Sequence, residues 1–282
     1  MKVNKAFTLD GIKESRVHVL SDLHIGARGL DFKAIKADLD KAQQEYDLGL
    51  DVHVVINGDT FDAILPGDKK RFSIDAVDPR LLAKGAALMD NAVELAYETL
   101  KPYAHLIRVI GDGNHDTLQK FHAYAPNQAL LRELRRHNPD IEHGEYCGFF
   151  RLKRRDGRGY NNWTLFRHHG AGGAAARSRG IMKLGDIFAW TEADAITIGH
   201  LHNRIADSTF VRQYLNSNDT PCERRTVAAM SGSYLSTYGD EKNPGNYAST
   251  WACPPQQKGG VVFTIEWPQS QKGDQARTSV TL

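Results

Sequence analysis

In the first half of the chain, short apolar runs alternate with stretches of helical period. Residues 16–20, 52–56 and 105–110 are brief runs rich in valine and isoleucine, and each stops at a Gly, Asp or Asn turn. Between them, residues 32–48 place Phe32, Ile35, Leu39 and Ala42 at helical spacing. Residues 79–100 predict a longer helix with Leu82, Ala86, Met89, Val93 and Ala96 on one stripe and Pro102 just past its end. A third helix is expected from Asp116 to about Arg136. Strand and helix in alternation predict an α/β layered fold with a largely parallel sheet.

The second half has a different pattern. Strands are expected at residues 149–153, 163–167, 195–198, 227–230 and 261–265, with helical signal only at 181–190. A second sheet packed on the first accounts for this, giving an αββα sandwich of two mixed sheets flanked by helices. Residues 240–257 are rich in Gly, Pro, Asn and Ser and are expected to form a loop. No domain boundary stands out, so residues 1–282 are expected to form one domain with a small extension after about residue 204.

Composition narrows the function classes. The chain has 282 residues, 36 Lys plus Arg against 34 Asp plus Glu, and a formal charge of +2. With 41% hydrophobic and 25% charged residues it is neither collagen-like nor disordered, and it is not a polycation held to nucleic acid by bulk charge. Cys147, Cys222 and Cys253 lie far apart, which argues against a disulfide scaffold and a cysteine zinc site. There is no run of 18 apolar residues and no hydrophobic core in the first 15, so a cytoplasmic protein with no membrane partner is expected. The 12 histidines are the informative count, because imidazole titrates near neutrality and is the commonest metal ligand.

Those histidines gather with carboxylates at the C-terminal ends of predicted strands, where loops of open α/β sheets build sites. Asp22-x-His24 ends the first strand, Gly58-Asp59 the second, and Gly113-Asn114-His115-Asp116 the third. His168-His169-Gly170 and Gly199-His200-Leu201-His202 follow two later strands. Each block alone is weakly specific. Together they are five strand ends in a fixed order carrying only oxygen and imidazole donors, a set that suits Mn, Fe, Co, Ni or Zn better than Ca or Mg.

The ordered set resembles the calcineurin-like metallophosphoesterase superfamily, whose pattern runs D-x-H, G-D, G-N-H-[DE], a His near a Gly, then G-H-x-H. The resemblance spans Asp22 to His202 and implies a metal-dependent phosphoric ester hydrolase with two divalent cations, manganese foremost. It implies that Asp59 bridges the two ions and that Asp22, His24 and His202 complete one shell. Asn114, His200 and one of His168 and His169 would complete the other, with His169 favoured. It further implies attack by a metal-bridging hydroxide, with His115 protonating the leaving group. Asp116 would orient His115, cap the following helix, or do both. His18, His53 and His105 are read as sheet residues, and His122, His137 and His143 as solvated.

The substrate is less legible. Basic residues cluster at 69–71, at Arg132, Arg135 and Arg136, at 151–158 in a predicted hairpin, and at Arg224-Arg225. These favour a phosphodiester of a nucleotide or nucleic acid, with a phosphomonoesterase or nucleotide pyrophosphatase as the alternative. A non-catalytic scaffold of the same fold is the alternative of another class. Arg177 and Arg179, after the glycine-rich stretch 170–173, are expected to bind a substrate phosphate. Tyr234 is read as a packed turn aromatic. The oligomeric state is not legible.

Overall fold

The computed structural model describes the chain except residues 63–71, 84–86, 117–124, 158, 174–179, 240–253, 256 and 269–275. The elements, in chain order, are β1 (Lys2–Val3), β2 (Phe7–Leu9), β3 (Glu14–Leu20), α1 (Phe32–Asp47), β4 (Asp51–Asn57), α2 (Pro79–Leu82) and α3 (Leu88–Leu100). They continue with β5 (Ile107–Gly111), α4 (Pro126–Leu134), β6 (Glu142–His143), β7 (Cys147–Asp156), β8 (Gly159–His168) and α5 (Ile181–Trp190). The last are β9 (Ala195–Ile198), β10 (Ile205–Leu215), β11 (Pro221–Met230), β12 (Val261–Glu266) and β13 (Arg277–Thr281).

The strands form two mixed sheets. One has the order β13-β12-β3-β4-β5-β6, with β3 to β6 parallel and β12 antiparallel to both neighbours. The other runs β1-β7-β8-β9-β11-β10, with β2 also on β7. There β8, β9 and β11 are parallel and the hairpins β7–β8 and β10–β11 antiparallel.

Strand alternation sorts these residues into layers, since successive side chains point to opposite faces. Leu20, Val54, Ile56, Ile107 and Ile110 face a core shared with α1, α3 and α4. Val17, Val19, Val55, Val109, Val261 and Phe263 face the other way, onto Phe150, Leu152, Trp163, Leu165 and Ala229 of the second sheet. The far face of that sheet, with Phe166, Ile196, Ile198 and Met230, is covered by Leu184 of α5. Three cores between four layers make an αββα sandwich. The chain after residue 204 supplies β11 and β12, which lie inside the two sheets, and the edge strands β10 and β13.

Several boundaries differ from expectation. The helix expected over 79–100 is two helices: Ala83 closes α2, and α3 starts at Leu88. Leu81 is buried in place of the expected Leu82, which is exposed. Of the expected third helix, residues 117–124 lie outside the described residues and 126–134 form α4. Most of the expected loop at 240–257 also lies outside them. No helix among the described residues is long and apolar enough to cross a membrane.

Candidate metal centre

The C-terminal ends of β3, β4, β5, β8 and β9 come together at one end of the two sheets. The loop after β3 keeps a parallel pairing with the loop after β4: Asp22 N donates to Gly58 O, His24 N to Asp59 O and Ile25 N to Thr60 O. The backbone at this end is unusual. Asp22, His24, Asp59, His200 and His202 all have positive φ, between 47° and 64°. Only two other non-glycine residues among those described do, Glu145 and Asp219. Left-handed backbone at a residue with a Cβ costs about 1–3 kcal/mol and persists where the surroundings over-determine it. Here it turns alternate side chains of D-x-H and of H-x-H toward a common point.

Two glycines are required by close approach. A Cβ at Gly113 would overlap the Asp59 carboxylate, and one at Gly199 would overlap Ser21 Oγ. The GNHD and GHLH turns are thereby free to press on the loops that carry Asp59 and Asp22.

The two acids are held alike. Asp22 Oδ2 accepts from Ser21 Oγ at 2.6 Å and from His200 N at 2.9 Å. Its other oxygen, Oδ1, is buried and lacks a hydrogen-bond partner, yet lies 3.2 Å from His202 Nε2 and 3.8 Å from His24 Nε2. Asp59 Oδ1 accepts from His115 N at 2.8 Å, and Oδ2 lies 3.1 Å from His169 Nε2 and 4.0 Å from His24 Nε2. Each carboxylate has one oxygen fixed by its surroundings and the other turned to imidazoles.

The imidazoles complete two groups. His24 Nε2 and His202 Nε2 are 3.3 Å apart, and with Asp22 they form one cluster of donors within 4.8 Å of each other. Asp59, His169 and His200 form a second, and Asn114 Oδ1 lies 3.2 Å from His169 Nε2. His24, Asp59 and His115 make a third, overlapping group. Donors bound to one ion at about 2.0–2.2 Å are separated by roughly 3.0–3.4 Å. The short spacings here match that, and the unpartnered Asp22 Oδ1 is the kind of buried acceptor that a cation satisfies. The donor set therefore fits divalent cations.

The two rings of the His168-His169 doublet point in different directions. His169 is fully buried, with Nδ1 bonded to Asn57 O at 2.9 Å, which leaves Nε2 directed at Asp59 and Asn114. His168 turns away, its Nδ1 accepting from Gly170 N at 2.8 Å.

His115 sits edge-on to His24, with ring centroids 4.8 Å apart. The carboxylate that orients it is Asp62, whose Oδ1 lies 3.0 Å from His115 Nδ1, and not the expected Asp116. Asp116 is occupied elsewhere: it accepts from Gly113 N at 2.8 Å, Phe61 N at 3.1 Å and Thr60 N at 3.2 Å. Three main-chain donors hold that buried carboxylate, so it ties the GNHD turn to the Asp59 loop. Asp62 also faces His24 Nδ1, at 3.7 Å. The signal for it is in the sequence, a second acid three residues after Asp59 in Gly58-Asp59-Thr60-Phe61-Asp62, but it lies outside the five blocks.

Charge is tightly opposed in this pocket. Burial works against the carboxylate of Asp22, but His169, His202 and His24 outweigh it and hold Asp22 well below the usual range. Burial likewise opposes charge on His169, and Asp22 and Asp59 overcome it, lifting His169 to about 9. Asp116 goes the other way: burial and the neighbouring Asp59 charge push it up to about 7.

Other expectations fare variously. His18 lies 2.6 Å from Glu45, and His53 lies 3.0 Å from Asp51 and accepts from Arg108 Nε at 3.1 Å, so both are satisfied sheet residues. His105 lies outside β5 and packs edge-on against the Tyr46 ring. His137 is exposed, as expected, and lies 2.9 Å from Tyr97 Oη, whereas His143, also expected to be solvated, is half-buried and lies 2.8 Å from Asp112 Oδ2. Tyr234 is fully buried, as expected of a packed aromatic, and donates to Asp38 at 2.6 Å. Arg177, Arg179, His122 and residues 69–71 lie outside the described residues.

No family model matches this chain, and no curated protein matches it. Among solved structures it is similar to the calcineurin-like phosphoesterase YfkN from Bacillus subtilis, at 11% identity over 95% of this chain and 90% of that one, with a TM-score of 0.45. A metallophosphoesterase from Sphaerobacter thermophilus is 15% identical over 78% of this chain and 77% of its own, with a TM-score of 0.28. The 5'-nucleotidase from Candida albicans SC5314 is 9% identical over 94% of this chain and 48% of its own, with a TM-score of 0.33.

Proposed function

We propose that this chain is a metal-dependent phosphoesterase acting on a phosphodiester of a nucleotide or nucleic acid. The observation that carries the reading is the pair of donor clusters flanking Asp59, with a carboxylate-oriented histidine beside them. Asp22, His24, Asp59 and His202 would hold one divalent ion, and Asp59, Asn114, His169 and His200 the other. When bound, such a pair supplies Lewis acidity and a water of lowered pKa.

The protein's own groups do the rest. Asp62 fixes the His115 ring through Nδ1, so the opposite nitrogen is the one offered to a reacting oxygen. His115 therefore protonates the leaving alkoxide. Asp116 keeps the backbone N–H groups of Gly113, Thr60 and Phe61 engaged, which holds His115 and Asp59 at a fixed separation. Two divalent charges against the carboxylates of Asp22 and Asp59 leave the centre positive, which suits an anionic ester. The basic clusters that pointed to a diester in the sequence lie away from the site, so the diester rests on charge: a monoanionic diester asks for fewer cations around it than a dianionic monoester. A cytoplasmic setting belongs to the same reading and agrees with free thiols at Cys147 and Cys222.

The test is to load the protein with Mn²⁺ and compare bis-p-nitrophenyl phosphate, p-nitrophenyl phosphate and single-stranded DNA. Faster turnover of the diester is expected. Preference for the monoester would overturn the diester assignment. Turnover of none, with two ions bound, would replace the enzyme by a scaffold.

A further inference from the structure

The basic residues of the two long hairpins lie away from the metal-ligand residues. In the β7–β8 hairpin, Cys147 pairs with His168 beside the site and Asp156 pairs with Gly159 at the other end. The run 151–158 therefore extends away from the metal-ligand residues, its tip roughly 30 Å from His168 at about 3.3 Å per residue. Arg154 donates to Pro268 O, and Arg155 lies 3.4 Å from Asp10. Arg224 is likewise several residues before the site end of β11 and pairs with Glu192 and Asp194.

Lys183 differs. It projects from the first turn of α5, and its ammonium donates to the carbonyl of Ala171. Ala171 is two residues past His169, so their Cα atoms are at most about 7 Å apart. The loop that receives the lysine is pinned: Tyr146 Oη donates to Gly170 O at 2.7 Å, and Gly170 N donates to His168 Nδ1 at 2.8 Å. Residues 171–173 are exposed. The Ala171 carbonyl takes one of the three donors of an ammonium. A positive charge is thus held on the loop that follows His169, near enough to His168 to disfavour a charged ring there. The opposite side, around His24 and His115, is lined by the carboxylate of Asp62. That polarity orients an extended anion.

We propose that Lys183 binds a second phosphate of the substrate, adjacent to the scissile one, on the His169–His200 side of the centre. The proposal rests on the phosphodiesterase reading and adds a substrate class to it: esters with a neighbouring phosphate, such as an oligonucleotide, in preference to an isolated diester.

The experiment measures binding without turnover. In a His115→Ala background loaded with Mn²⁺, Kd is determined for thymidylyl-thymidine and for the same dinucleotide with a 5' or a 3' terminal phosphate. The chain with Lys183 is expected to bind one phosphorylated form about tenfold more tightly, the scale of one charge-assisted hydrogen bond. Lys183→Ala and Lys183→Gln should both lose that preference, and Lys183→Arg should keep it. Gln retains a donor for Ala171 O without the charge, so preserved preference in Gln with loss in Ala would make Lys183 a loop staple and overturn the proposal. Equal binding of all three dinucleotides by the Lys183 protein would overturn the proposal alone. Failure to bind any of them would overturn the nucleotide reading together with it.

Discussion

The two ends of the sheets handle polar groups in opposite ways. At the far end of β7 and β8 the ladder runs regularly to its tip, and the arginines there are absorbed by local partners, Arg151 by Thr164 and Arg155 by Asp10. At the site end, five residues with side chains sit in left-handed backbone. Acids and imidazoles there approach to 3.1–3.3 Å around an acceptor that no donor satisfies. A high density of charge in the sequence thus marks a solvated hairpin, while the chemistry gathers where charges are few, buried and aimed at each other. Strain and an unsatisfied oxygen locate the site better than net charge does.

That contrast can be broken by substitution. Asp59→Ala removes the acid common to both clusters and should lower turnover by roughly three orders of magnitude, the scale of a several-kcal/mol Lewis-acid contribution; residual activity within tenfold of the parent would refute its bridging place. His115→Ala should cost about 10²–10⁴-fold in kcat, the range of general acid catalysis, with bound metal unchanged when measured by elemental analysis. Asp62→Asn should cost about 10–100-fold, as loss of an orienting carboxylate does. If Asp62→Asn were silent in kcat and Asp116→Asn were not, the orientation of His115 would have been assigned to the wrong acid.

Mn²⁺ at a hundred times its Kd should stabilise the fold by about 2.7 kcal/mol, a rise in Tm of roughly 5 °C. An unchanged melting curve would mean that the converging donors hold no ion. Arg155→Ala, at the far end, should change stability by no more than about 0.5 kcal/mol. Its kcat/KM on DNA should stay within twofold, and a larger loss would bring the basic hairpin into substrate binding.

Much of the fold was legible because buried parallel strands announce themselves. Residues 52–56 and 195–198 are nearly uninterrupted apolar runs, and both are central strands. The strands missed were of two kinds. β10 and β13 are edge strands with many polar, exposed positions, so no apolar alternation marks them. β1, β2 and β6 are two or three residues long and exist only by pairing with longer strands. In the site, the ordered motifs located the donors because the left-handed turns that aim them are short and local. The partner of His115 was not legible in the same way. Asp116 adjoins it in sequence, but its carboxylate is turned to the main chain of Thr60, Phe61 and Gly113, and Asp62 reaches the ring only through the fold.

In the reading proposed here, Asp22, His24, Asp59, Asn114, His169, His200 and His202 hold two ions with Asp59 between them. Anomalous scattering from a crystal grown with Mn²⁺ tests it most directly. Two peaks are predicted, about 3.5–4 Å apart, one beside Asp22, His24 and His202 and the other beside Asn114, His169 and His200, with Asp59 touching both. A single peak, or two that do not share Asp59, would contradict it.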